Sequence, residues 1–186
     1  MRIIAGSARG RRIEAPEGMR TRPTLDRVKE ALFGSIQFDL PGSLVLDLFS
    51  GSGNLGLEAL SRGARLAVLN DHDAASVRCI EKNARAVGLF DSTRIMQADY
   101  RVAIERLCGE GLRFDIVFLD APYRDGTAQD AAERLFRLGM IADNGYVVIE
   151  HSLDLPPQPV PALMRCKKTK HYGDCCFTIL ERDEPS

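Results

Sequence analysis

The stretch Leu44-Val-Leu-Asp-Leu-Phe-Ser-Gly-Ser-Gly-Asn-Leu-Gly56 carries the first residues whose types and spacing could do chemistry. Gly51, Gly53 and Gly56 follow a strand-like run and open a helical one. Glycines there allow a tight turn and let the backbone approach a ligand. The helix start adds free N–H groups and a partial positive charge. The spacing, with Asp71 lying 20 residues beyond Gly51, suits a dinucleotide as well as S-adenosylmethionine. Asp47 weighs between them. A carboxylate just before the glycines disfavours a pyrophosphate, by on the order of 1–4 kcal/mol near a surface. It favours a ligand that carries an ammonium and a sulfonium. The plain alternative is a loop used only for chain reversal. Asp71 and Asp99 end the next two strands, where they could accept ribose hydroxyls and an adenine amino group. Either alone could equally be a helix cap or a solvated turn. The candidate cofactor set is Asp47, Phe49, Gly51, Gly53, Asn54, Gly56, Asp71, His72, Asp99 and Tyr100.

Asp120-Ala121-Pro122-Tyr123 ends a fourth apolar run that starts at Phe114. This tetrapeptide resembles the (Asn/Asp/Ser)-Pro-Pro-(Tyr/Phe/Trp) motif of amino-methyltransferases. An exocyclic amine on a base is a poor nucleophile, because its lone pair is delocalised into the ring. The acid and the next carbonyl can hold its two N–H groups and aim the nitrogen at a methyl carbon. The aromatic can stack on the base, worth about 1–3 kcal/mol, and the proline stiffens the turn. Asp120 and the Ala121 carbonyl would orient the amine, and Tyr123 would stack. Ala121 departs from the motif, keeping the carbonyl acceptor and losing some stiffness. As an isolated tetrapeptide it would read as an ordinary turn.

These residues need a frame that places them together. The pattern predicts strands at 44–48, 66–70, 94–97, 114–119 and 146–150, alternating with helices at 54–62, 73–87, 102–107 and 127–138. Near-continuous apolar strands between helices indicate a parallel sheet covered on both faces. Two further strand-like runs, 164–172 and 175–182, meet at a Gly173-Asp174 turn and predict an antiparallel edge. Ahead of the sheet, residues 2–14 suggest a hairpin turning at Gly6–Gly10. Thr24 suits the N-cap of a helix to about Phe38, with Val28, Leu32 and Ile36 on one side.

Composition narrows the class. Of 186 residues, 45% are apolar, as in an ordinary globular chain. No run is long enough to span a bilayer, and no signal-peptide h-region is visible. Five cysteines without Cys-x-x-Cys spacing predict reduced thiols in a cytoplasmic protein. The three histidines lie far apart, so no metal is expected. Charge is uneven. Residues 1–29 hold eight cations against three acids, a net +5, which leaves −6 for the remainder of a chain totalling −1. A second cluster is Arg165, Lys167, Lys168, Lys170 and His171. Basic ends around a mildly acidic body suit a local polyanion-binding face, or an arginine-rich arm that is merely solvated.

Several blocks together resemble the RsmD family, bacterial guanine-N2 methyltransferases of 16S ribosomal RNA. They are Arg2-Ile-Ile-Ala-Gly with Arg9-Gly-Arg-Arg-Ile13, Arg22-Pro-Thr-Leu-Asp-Arg-Val-Lys-Glu-Ala-Leu-Phe33, Val45-Leu-Asp-Leu-Phe-Ser-Gly-Ser-Gly, Leu57-Glu-Ala-Leu-Ser-Arg-Gly-Ala64 and Asp-Ala-Pro-Tyr. They occur in family order and cover about residues 1–150. The resemblance implies a Rossmann-like class I methyltransferase fold, a mostly parallel seven-stranded sheet with an antiparallel C-terminal edge. It also implies a small N-terminal hairpin and helix, dividing the chain at 1–40 and 41–186. The implied cofactor is S-adenosylmethionine. The implied substrate is a guanine N2 amine of 16S rRNA within the 30S subunit or its precursor. The family's ribose acid is usually glutamate, and Asp71 holds that position here. Arg9, Arg11, Arg12, Arg22, Thr24 and Arg27, with Lys167, Lys168 and Lys170, would contact the RNA. A monomer is expected. Guanine N2 and adenine N6 need the same two acceptors, so another RNA or DNA adenine stays open as target. So do a non-catalytic RNA-binding module and an NAD oxidoreductase.

Overall fold

The computed structural model describes residues 1–16, 24–121, 126–173 and 175–183. Its elements are α1 (Thr24–Ser35), β1 (Leu44–Asp47), α2 (Asn54–Ser61), β2 (Leu66–Asp71), α3 (Ala74–Ala86), a 3-10 turn at Phe90–Ser92, β3 (Thr93–Gln97), α4 (Tyr100–Gly109), β4 (Phe114–Leu119), α5 (Thr127–Arg137), β5 (Ile141–Ser152), β6 (Met164–Tyr172) and β7 (Cys175–Arg182). The strands form a seven-stranded sheet in the order β3-β2-β1-β4-β5-β7-β6. Neighbours among β1–β5 pair in parallel, whereas β7 runs antiparallel between β5 and β6. The strand order reverses beside β1, and in such sheets ligands bind beyond the carboxyl ends at that point.

All four residues of β1 are buried, as a strand covered on both faces requires. One core layer joins Val45, Leu69, Phe118 and Val148 of the sheet to Leu57 of α2, Ile80 of α3 and Leu32 and Phe33 of α1. The other packs Leu46, Val117 and Val147 under Ile104 of α4 and Leu135 of α5. Ile3, Ala8, Ile13, Val28 and Ile36 belong to the first layer, so the N-terminal arm and α1 share their core with the sheet.

Three elements differ from the sequence reading. Helix α1 stops at Ser35, whose hydroxyl donates to the Leu32 carbonyl, and Phe38 is left 89% exposed. Strand β5 starts at Ile141 and runs through Asn144-Gly145, a pair that looks like a turn. It can do so because Gly145 packs against β4: a Cβ there would lie 2.7 Å from the Phe114 carbonyl oxygen. The N-terminal hairpin closes through one bridge, Arg2 with Arg12, and bonds such as Ile3 N–H to Arg11 C=O at 2.9 Å. Too short for a ladder, it is held from below. Gly6 lies so close to α2 that a Cβ would sit 1.7 Å from the Ser61 carbonyl oxygen.

Among the described residues no helix is long and apolar enough to cross a membrane. No His/Cys/Asp/Glu group there could hold a metal ion. All five cysteines are free thiols.

Candidate active site at the carboxyl end of the sheet

A crevice of about 260 Å³ opens where β1, β4 and β5 end. Its walls come from the loop after β1 (Asp47, Phe49, Gly51), the start of α2 (Asn54), α1 (Lys29), and the strand ends Asp120 and Glu150. Phe177 of β7 and Met1 of the arm complete it. Loop residues become neighbours of the arm because Glu58 of α2, fully buried, gathers both. Its carboxylate accepts from Ile4 N–H at 2.8 Å and Ala5 N–H at 3.1 Å, and pairs with Lys29 at 3.1 Å and Arg62 at 2.8 Å.

Lys29 is only 2% exposed. Its ammonium donates to the Arg2 carbonyl at 2.6 Å and to Asn54 Oδ1 at 2.7 Å, besides the Glu58 pair. These contacts occupy its three hydrogens. Burial lowers its pKa, and Glu58 opposes that. Lys29 is one of the eight cations counted in residues 1–29, and in the fold it is part of an internal ion pair. Arg2 is likewise paired, with Asp26 at 3.2 Å.

Asp47 caps the start of α2. Its Oδ2 accepts from Gly56 N–H at 3.0 Å, while Oδ1 is buried with no partner. Burial pushes its pKa up to about 7, with a smaller push from the charge of Asp71. Gly56 is glycine for packing: a Cβ would lie 2.1 Å from Leu69 Cδ2. Gly53 precedes α2 in a left-handed conformation, φ 80°, which favours glycine. Asp71 uses one carboxylate oxygen on Gly51 N–H at 2.8 Å and the other on Asp73 N–H at 3.0 Å. Asp71 thus shapes the glycine loop directly, and each oxygen keeps a second lone pair for a ligand.

Of the remaining candidates, Phe49 and Asp120 line the crevice, and Tyr100, His72 and Asp99 are not among its walls. Phe49 and Tyr100 pack with ring centroids 5.6 Å apart and planes tilted by 49°, and the Tyr100 hydroxyl donates to Asp130 at 2.7 Å. His72 is exposed beside Asp71. Asp99 is exposed and caps α4 by accepting from Arg101 N–H at 2.9 Å. Asp120 follows β4 in the crevice wall, with Glu150 and Asp47. Desolvation raises its pKa, and the charges of Glu150 and Asp47 add to the rise. Ala121 is buried at the end of β4. Pro122, Tyr123 and Arg22 lie outside the described residues, and Thr24 opens α1.

Sequence reasoning missed Lys29, Glu150 and Phe177 as wall residues. Glu150 carried a signal, an acid at the end of a fifth strand. Phe177 carried none, because only the pairing of β7 with β5 brings it there. Arg9, Arg11, Arg12 and Arg27 are exposed on the side of the sheet that carries the arm. Lys167 and Lys168 are exposed and Lys170 half-buried on the edge strand β6.

Three carboxylates, Asp47, Asp120 and Glu150, therefore line one crevice whose only described lysine is fully engaged. Such a site favours a cationic ligand. Comparison with known proteins agrees with a methyltransferase frame. A family model described as conserved hypothetical protein 95 matches residues 1–181. The chain is 33% identical over 174 residues to the putative rRNA methyltransferase YlbH of Bacillus subtilis, covering 93% of this chain and 94% of that protein. It is also 33% identical over 183 residues to ribosomal RNA small subunit methyltransferase D of Escherichia coli, covering 98% and 90%. Among solved structures, the putative methyltransferase yhhF of Escherichia coli superposes with a TM-score of 0.83 at 32% identity, over 100% of this chain and 99% of that one.

Proposed function

This chain belongs to the conserved hypothetical protein 95 family, the RsmD family its sequence blocks resemble, and we infer that it is an S-adenosylmethionine-dependent methyltransferase of small-subunit ribosomal RNA. Its acceptor is the exocyclic N2 amine of a guanine in 16S rRNA, presented on the 30S subunit or an assembly intermediate. The observation that carries this reading is the acid-lined crevice, above all the buried Asp47 Oδ1 without a partner.

The residues present fit the cofactor. Asp47 and the glycine loop would hold its cationic end, and Asp71 its ribose. Phe49, backed by Tyr100, would offer an aromatic ring for the adenine. When bound, S-adenosylmethionine supplies a methyl carbon made electrophilic by its sulfonium.

The chain's own part is positioning. A carboxyl oxygen of Asp120 and the Ala121 carbonyl accept the two N–H groups of the amine, which leaves the nitrogen lone pair directed into the crevice. Tyr123 stacks on the base, and Arg9, Arg11 and Arg12 of the arm, with Arg27 of α1, hold phosphates around a base turned out of its helix. Asp120 or water takes the proton released when the new C–N bond forms.

The test is transfer of a tritiated methyl group to 30S particles lacking this modification, followed by nucleoside analysis. N2-methylguanosine is expected. Label in adenine would redirect the reading to an N6 enzyme, and RNA binding without transfer would reduce the chain to a binding module.

A further inference from the structure

The second basic cluster lies on β6, and a bulge decides which way it faces. Arg165 pairs with Glu181 and Cys166 with Leu180, but the next residue to pair with β7 is Lys168, opposite Ile179, so Lys167 is the extra residue. Directly opposed residues share a face. Ile179 and Phe177 lie in the core layer of the arm and α1. Lys168 and Lys170, opposite them, therefore point to that side.

Without the extra residue, strict alternation would turn Arg165 and Lys167 to the other side. With it, Arg165 shares the side of Lys168 and Lys170. Lys167 does too: its ammonium lies 3.0 Å from Glu181 and 5.9 Å from the centre of the Tyr146 ring, on the same side. The bulge also sends Met164 into the opposite core layer. Four cations thus collect on one side of one strand. Glu181 engages Arg165 and Lys167, whereas Lys168 and Lys170 have no ion-pair partner among the described residues.

Lysines on an edge strand guard against strand pairing whichever side they occupy, so guarding does not explain the common side. Position does. Across the sheet, Glu150 is opposite Phe177, and Phe177 is opposite Lys170. Glu150 and Phe177 wall the crevice. The row therefore leads from the crevice over one aromatic ring to Lys170, and Lys168, opposite Ile179 and level with Val148, lies about 6.6 Å back along β6 toward the amino end of the sheet.

We propose that Lys168 and Lys170 form a phosphate rail for the RNA strand flanking the target nucleotide, on the same face of the sheet as the arginine arm. The inference rests on the RNA-methyltransferase reading above. It adds that the substrate strand crosses the C-terminal hairpin and is held by both clusters.

The test measures binding of the full chain to 16S rRNA in assembling particles across a range of salt concentrations. Three proteins are compared: wild type, Lys168→Gln with Lys170→Gln, and a control with Arg106→Gln and Arg137→Gln, which removes equal charge from α4 and α5 on the opposite side. The rail variant is expected to flatten the slope of log K against log salt by about 1.4–1.8, the release expected for two phosphate contacts. Its KM for particles should rise, with the thermal midpoint unchanged, while the control keeps the wild-type slope. A wild-type slope in the rail variant, or equal flattening in the control, overturns the rail and leaves the methyltransferase reading standing. Wild-type protein that neither binds nor methylates the particles overturns both.

Discussion

Replacing Asp47 by asparagine should strengthen the empty protein and weaken its hold on the cofactor, two effects of opposite sign from one atom. Asp47 is 1% exposed and its pKa stands near 7 against an ordinary 3.8. A difference of about 3 units corresponds to about 4 kcal/mol, at 1.36 kcal/mol per unit. Because the folded value is the higher one, the stabilisation is complete below about pH 4. It is lost as pH rises through 7. Above pH 8 the folded protein bears a buried charge that the unfolded chain hydrates. Asparagine keeps the acceptor for Gly56 N–H but places an NH2 group where Oδ1 has no partner, costing about 1–3 kcal/mol. The net gain at pH 8.5 is about 1–3 kcal/mol, a rise in Tm of roughly 2–12 °C for a chain of this size. At pH 5 the gain should vanish or reverse. Calorimetry should meanwhile show S-adenosylmethionine affinity falling about 10²-fold or more, since a facing charge pair is worth up to about 4 kcal/mol. Wild-type binding near pH 7 should release protons, and binding by the variant should release fewer. A variant no more stable than wild type at pH 8.5, or one whose cofactor affinity stays within threefold, refutes the reasoning.

Asp120→Ala should keep cofactor affinity and lose turnover by about 10²-fold or more, measured as methyl transfer at saturating cofactor. A large loss of cofactor binding would instead reassign Asp120 to the cofactor. Glu58→Gln leaves Lys29 buried without its counter-charge and should destabilise the chain by about 3–5 kcal/mol. Thermal melts should therefore show a Tm lower by on the order of 10 °C, and limited proteolysis should cut the arm sooner. Arg11→Ala with Arg12→Ala should weaken RNA binding and flatten its salt dependence, and an unchanged slope would take the arm out of the interface.

The alternation of apolar runs and helical segments, the glycines after β1 and the acids at strand ends were all legible in the chain. Each depends on neighbours a few residues away: strands and helices follow the period of apolar side chains, and a strand-end acid is named by the strand it ends. The terminal strands β6 and β7 were read at their observed bounds for the same reason. The family blocks named the reaction class, which composition alone left open.

What the chain could not disclose depends on contacts between distant residues. Lys29 reads as one more cation of a basic arm until Glu58, 29 positions on, meets it inside the protein. Phe177 reads as a core residue of a late strand until pairing with β5 sets it beside Glu150. Burial, not residue type, moves Asp47 to a pKa near 7 and leaves its Oδ1 alone. The bulge at Lys167 has no local signature, because an extra residue is defined only against the strand opposite. Short-range patterns set where each element begins and which side it buries. Register, burial and charge pairing are properties of the assembled sheet, and they decide which side chains face the crevice.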